Sequence, residues 1–80
     1  METRKEVYRV MGEAIARLRS SLGMSEEQFA RVLTVPTQVV KAWEEGMSPS
    51  QTKRLAINEL AVAQGVPGLN WDSLERAGHR

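Results

Sequence analysis

The sequence contains no cysteine, which excludes a disulfide framework and any zinc site built on thiolates. It has no run of about 18 apolar residues of the kind that crosses a bilayer, and no charged-then-apolar leader ending in a cleavage site. Glycine-rich phosphate loops, a nucleophile elbow and metal-ligand spacings are missing as well. The single histidine, His79, has no second metal-type ligand near it in sequence. Glu26-Glu27 and Glu44-Glu45 are adjacent pairs whose side chains point in different directions along a helix, so neither forms an acid-base dyad. No enzyme activity, cofactor or metal is expected. Charge of one sign is scarce too: eleven Lys and Arg against ten Asp and Glu leave a net +1, too near neutral to announce a nucleic-acid partner by itself. These absences point to a cytoplasmic, unprocessed chain with no membrane contact.

What remains is an ordinary globular composition, 41% hydrophobic and 26% charged over 80 residues. That length allows one domain, 1–80, and a chain of this size buries only about 60–65% of its unfolded surface. Stability must come from helix packing, with or without a partner subunit.

From Glu6 to Leu22 the apolar residues Val7, Met11, Ala14 and Leu18, together with Tyr8, Ile15 and Leu22, recur every three or four positions. This is the wide face of an amphipathic helix. Gly12 inside it has no evident reason beyond the close approach of another helix, and Gly23 supplies a stop. Ser25 and Gln28 form a capping box that starts a second helix, Glu26 to about Leu33, with Phe29, Val32 and Leu33 inward and a small Ala30. Thr34, Val35 and Pro36 break the period. A third helix, Thr37 to Glu45, carries Val39, Val40 and Trp43 and stops at Gly46. Ser48-Pro49-Ser50-Gln51 reads as another capping box with proline at the first helical position, starting a fourth helix at Pro49 that continues to about Gln64. Its apolar residues, Leu55 to Ala63, fall on more than one face, which calls for a second neighbour or a partner chain. Asn70 caps a last short helix, Trp71 to Ala77, in which Asp72 and Arg76 are spaced as an ion pair. The four methionines are scattered and form no common surface.

Five helices without a strand signal make an all-α bundle. Its informative element is a helix, a turn of about three residues and a second short helix, the tight corner that can hold one helix proud of the body and into a DNA major groove. The stretch Leu22-Gly23-Met24-Ser25, Phe29-Ala30, Val35, Val40, Trp43-Glu44-Glu45-Gly46 and Pro49-Ser50 resembles the Cro and phage-repressor type of helix-turn-helix, also called the XRE family. The resemblance covers about 15–60 and leaves the C-terminal helix, about 71–77, outside it.

The resemblance implies a five-helix, lambda-repressor-like domain, usually a homodimer on a palindromic operator in double-stranded DNA, as in small repressors, prophage regulators and the antitoxins of toxin-antitoxin pairs. By position it assigns base reading to Thr37, Gln38, Lys41 and Ala42. A glutamine amide pairs with adenine N6 and N7, a lysine with guanine O6 and N7, and Thr37 or Ala42 can meet a thymine methyl. Ser25, Ser48, Ser50 and Gln51 at helix N-termini suit phosphate oxygens, with Lys53 and Arg54 adding charge. The basic segment with Arg4, Lys5 and Arg9 is a further source of phosphate contacts or an ordinary solvated helix start. Arg19 and Glu44 correspond to a structural ion pair. The pattern departs from the family at Glu26, where a glutamine is common, at Pro36, where Ser or Thr is common, and at Val39, where a polar residue is usual.

Trp43 is expected in the core, while Trp71, with Leu69 and Leu74, is open to either dimer contact or packing on helix 4. The alternative function is a protein-interaction module whose main partner is another protein, such as a toxin; near-neutral charge, Glu26, Pro36 and the apolar surplus of helix 4 favour it.

Overall fold

The computed structural model describes residues 3–77, with side chains from Arg9 to Arg76. The side chains of Arg4, Lys5, Val7 and Tyr8, and the whole of His79, lie outside that range. Five helices follow one another: α1 (Thr3–Ser21), α2 (Glu26–Leu33), α3 (Thr37–Glu45), α4 (Gln51–Ala63) and α5 (Trp71–Ala77). Among the described residues there is no strand, and no helix is long and apolar enough to cross a membrane.

The helices α1 to α4 end in the same way. After each, a residue with positive φ reverses the chain, and the next residue donates its N–H to a carbonyl five positions back, the bond of a Schellman turn. The turn residues are Gly23, Thr34, Gly46 and Gly65, and the bonds are Met24 N–H to Arg19, Val35 N–H to Ala30, Met47 N–H to Ala42 and Val66 N–H to Ala61, at 2.8–3.2 Å. Thr34 is the exception by residue type. At φ 61° its β-branched side chain sits in the left-handed region, where it is strained.

One core cluster joins the first four helices: Met11, Ile15 and Leu18 from α1; Phe29, Ala30 and Leu33 from α2; Val40 and Trp43 from α3; Ile57 and Ala61 from α4. Phe29, Ile15, Val40 and Ile57 are fully enclosed. Val32, expected inward, is instead 51% exposed. The buried positions 29, 30 and 33 share a narrow arc of the helix, and position 32 falls about 100° off its centre.

The start of α4 also differs from expectation. Ser50, not Ser48, is the cap: its backbone is extended and its hydroxyl accepts the N–H of Lys53 at 3.3 Å. The residue three past the cap is therefore a lysine, which cannot return the bond of a capping box. Pro49 lies buried before the helix.

The last segment is held by Asn58. Its amide donates to the Leu69 carbonyl and its carbonyl accepts the Leu69 N–H, both at 2.9 Å. Gly68 permits this approach, since a Cβ there would lie 2.7 Å from Asn58 Cγ. Asn70 then caps α5 by accepting the N–H of Ser73 at 3.1 Å, and α5 packs on α1.

Candidate nucleic-acid interface

The corner between α2 and α3 is built from both ends. Ser25 accepts the N–H of Gln28 at 3.1 Å while Gln28 Oε1 accepts that of Ser25 at 2.9 Å, so both halves of the capping box form. Phe29, Ala30 and Leu33 seat α2 on the core, and the turn of Thr34, Val35 and Pro36 reverses into α3. Val40 and Trp43 seat α3 in the same core. The opposite face of α3 then points to solvent: Gln38, Lys41 and Glu45 are exposed, with Thr37 and Ala42 half-buried at its edges. The four residues assigned to base reading therefore fall on the outward part of one short helix.

Two contacts fix the orientation of α3 against α1. At Gly12 the helices meet backbone to backbone, and a Cβ there would lie 2.5 Å from the Glu44 carbonyl oxygen. About two turns further along, Arg19 grips Glu44 at two points, Nε to Oε2 at 2.6 Å and Nη2 to Oε1 at 3.2 Å. Its remaining nitrogen, Nη1, donates to the Met24 carbonyl at 3.0 Å. The pair is largely shielded from water, and the hydrogen bond to Glu44 raises the Arg19 pKa above its ordinary value despite the opposing effect of burial.

Glu26 adds a carboxyl to this cluster. Its pKa is raised from the ordinary carboxylate value, first by hydrogen bonding with Glu44, then by burial and by the Glu44 charge; Arg19 and Lys41 oppose the shift. The surface next to Lys41 therefore carries more acid than a phosphate-facing surface ordinarily would.

Three residues assigned to phosphate contact do other work. Lys53 is half-buried and its ammonium donates to the Leu33 carbonyl at 2.9 Å, satisfying the C-terminal end of α2. Arg54 has a side chain only 14% exposed. Its Nη2 donates to Ser48 Oγ at 2.6 Å and to Glu75 Oε2 at 3.0 Å, and its Nε to the Pro49 carbonyl at 3.3 Å. The guanidinium also lies 5.3 Å from the centre of the Trp71 ring, within range of a cation-π contact. Ser48 is thus a partner of Arg54 in the loop before α4, not a residue at a helix N-terminus. In sequence a basic residue on the first turn of a helix looks free, whereas Lys53 and Arg54 each close a bond to another element. Ser25, Ser50 and Gln51 do stay exposed at helix starts.

The candidate dimer residues Leu69, Trp71 and Leu74 are partly buried and pack against the core. Trp71 lies under Arg54, and its indole Nε1 is buried without a hydrogen-bond partner. Glu75 pairs with Arg54, and the expected Asp72–Arg76 pair is not among the ion pairs of the described residues. The large apolar residues exposed on α4 are Leu55 and Val62, at 58% and 68%.

Sequence reasoning missed Asn58 and Met47. A polar residue beside Ile57 in an apolar helix was the available signal for the first. Met47 follows the helix-ending Gly46, a position whose side chain ordinarily folds back on its helix, and nothing in sequence tells that it stays 65% exposed.

No protein-family model matches this chain, and no curated protein or solved structure matches it either.

Proposed function

We propose that this chain is a DNA-binding regulator of the helix-turn-helix type, similar to the Cro and phage-repressor family, that lays α3 in the major groove of a specific duplex sequence. The observation that carries the reading is the α2–turn–α3 corner, in which Gln38 and Lys41 stand on the solvent face of a helix braced from behind by Gly12 and by the Arg19–Glu44 pair. A reading helix must be rigid relative to the body that positions it, and two independent contacts with α1 supply that rigidity.

In this reading Gln38 pairs with adenine and Lys41 with guanine, while Thr37 and Ala42 meet thymine methyls. Ser25, Ser50 and Gln51 contact phosphates, and Arg31, exposed beside the turn, joins Lys41 in supplying positive charge. The protein acts as a cytoplasmic homodimer on an inverted repeat, with two copies of α3 about 34–36 Å apart, and represses by occupying a promoter.

The test is selection from a pool of random duplexes at near-physiological salt, repeated with Gln38→Ala. Enrichment of an inverted repeat, with relaxed preference at one position in the variant, is the expected result. A folded protein that enriches nothing would overturn the proposal.

A second reading, a module whose partner is another protein, is favoured by Leu55 and Val62 on α4 and by Glu26 next to Lys41. Salt separates the two, because a DNA complex weakens steeply as salt is added and an apolar protein interface hardly responds.

A further inference from the structure

The four Schellman turns offer a comparison within one chain. In such turns the apolar residue after the reversal usually folds back on its own helix. Met24, Val35 and Val66 are partly buried and pack against the core. Met47 occupies the equivalent place after α3 and does not, leaving 65% of its surface in solvent.

Its backbone is nonetheless fixed. The Met47 N–H donates to the Ala42 carbonyl at 2.8 Å, and the neighbouring Ser48 is held by Arg54 at 2.6 Å. Between the end of α3 and this loop lies a shallow groove of about 570 Å³, lined by Ala42, Glu45, Gly46, Met47 and Ser48. Ala42 and Glu45 stand four and seven positions after Gln38, on the same face of α3. The groove is therefore continuous with the surface that carries Gln38 and Lys41.

We infer that Met47, together with Ala42, is an apolar reader that contacts the 5-methyl group of a thymine at the edge of the half-site read by Gln38 and Lys41. The inference rests on the DNA-binding reading above. The thymine methyl is the one apolar group a base pair presents in the major groove, and a thioether on three rotatable bonds adapts to its position as a stiffer side chain would not. An exposed methionine on an anchored loop joined to a reading helix gives that methyl a place to be buried.

The experiment uses the full chain and the operator obtained by selection. Affinity is measured on that operator and on copies in which each thymine in turn is replaced by deoxyuridine, for the parent, Met47→Leu and Met47→Ser. One or two flanking positions are expected at which loss of the methyl weakens the parent about threefold to fivefold, the effect of withdrawing one methyl group from a contact. Met47→Ser should start weaker by a similar factor and no longer respond at those positions, while Met47→Leu keeps most of the response. Positions read by Gln38 should behave alike in all three proteins. An enriched operator with the same deoxyuridine profile in the parent and in Met47→Ser overturns this inference alone. Failure to enrich any sequence overturns the DNA-binding reading and this inference with it.

Discussion

Gly12 and Glu44 touch through the space where a side chain would be: a Cβ on Gly12 would stand 2.5 Å from the Glu44 carbonyl oxygen and 2.8 Å from that of Trp43. Alanine at an open helical position is worth about 1 kcal/mol over glycine. Here the obstacle is backbone, which cannot turn aside as a flexible side chain can. Gly12→Ala is expected to destabilise the fold by about 1–3 kcal/mol, the usual penalty of overpacking. Urea denaturation decides the sign, and a more stable variant would show that α1 and α3 are not held together at this point.

Glu26 gives the fold a pH dependence of unusual sign. Because its pKa is raised, chiefly by Glu44, the folded chain keeps a proton that the unfolded chain has already released over the range just above the ordinary carboxylate value. Folded protein binds more protons in that window, so this group's contribution to stability falls as pH rises through it. Glu26→Gln keeps a hydrogen-bond donor for Glu44 and removes the titration. The variant should be more stable than the parent near neutral pH, with the gap narrowing as pH is lowered toward about 4.5. A gap of constant size across that range would mean that Glu26 does not titrate in this way.

For Arg54 and Lys53 the expected readout is stability, not salt. Arg54→Gln breaks the bonds to Ser48 and Glu75 and should lose about 1.5–3 kcal/mol, and Lys53→Gln, which uncaps Leu33, about 1 kcal/mol. On the DNA-binding reading proposed above, the salt slope should stay as in the parent for Lys53→Gln and drop by about one for Arg31→Gln. A reduced slope in Lys53→Gln would return that lysine to the phosphate contacts.

Thr34 holds the corner at φ 61°, a conformation that suits glycine. Thr34→Gly exchanges the strain of a β-branched residue, about 1–2 kcal/mol, for a smaller loss of chain entropy. A gain of up to about 1 kcal/mol is expected, while Thr34→Val, equally branched, should give none. Thermal melts of the three proteins make the comparison, and a loss in Thr34→Gly would mean that the threonine hydroxyl or methyl stabilises the turn.

The helix boundaries near the corner were legible because their signals are local. Ser25 with Gln28, Pro36 and Gly46 each act within a few residues, and α2 and α3 fall where those residues put them. Gly12 was legible as a close approach, though not its partner. Less could be read from residues whose partners are distant in sequence. Arg54 reaches Glu75, Lys53 reaches Leu33 and Asn58 reaches Leu69; composition and period carry no trace of which charged or polar residue will be drawn inward. Val32 shows the same limit on the apolar side, since an eight-residue helix gives too little period to tell an exposed valine from its core positions. The outward face of α3 was predictable as a face, whereas the loop beyond it was not.

The lysine that caps α2 from α4 bears on portability. A segment cut at Ser25 and Gly46 would look self-contained, with its own start signal and its own reversal. It would leave behind Lys53, which closes the carbonyl end of α2, and Arg19, which grips the end of α3. Grafted onto another scaffold, the corner would have one helix terminus open to solvent and one acidic side chain unpaired. Transfer of this corner to a new host therefore requires a donor supplied from each side of the graft, and a swap of helix sequences alone will carry the surface without its bearing.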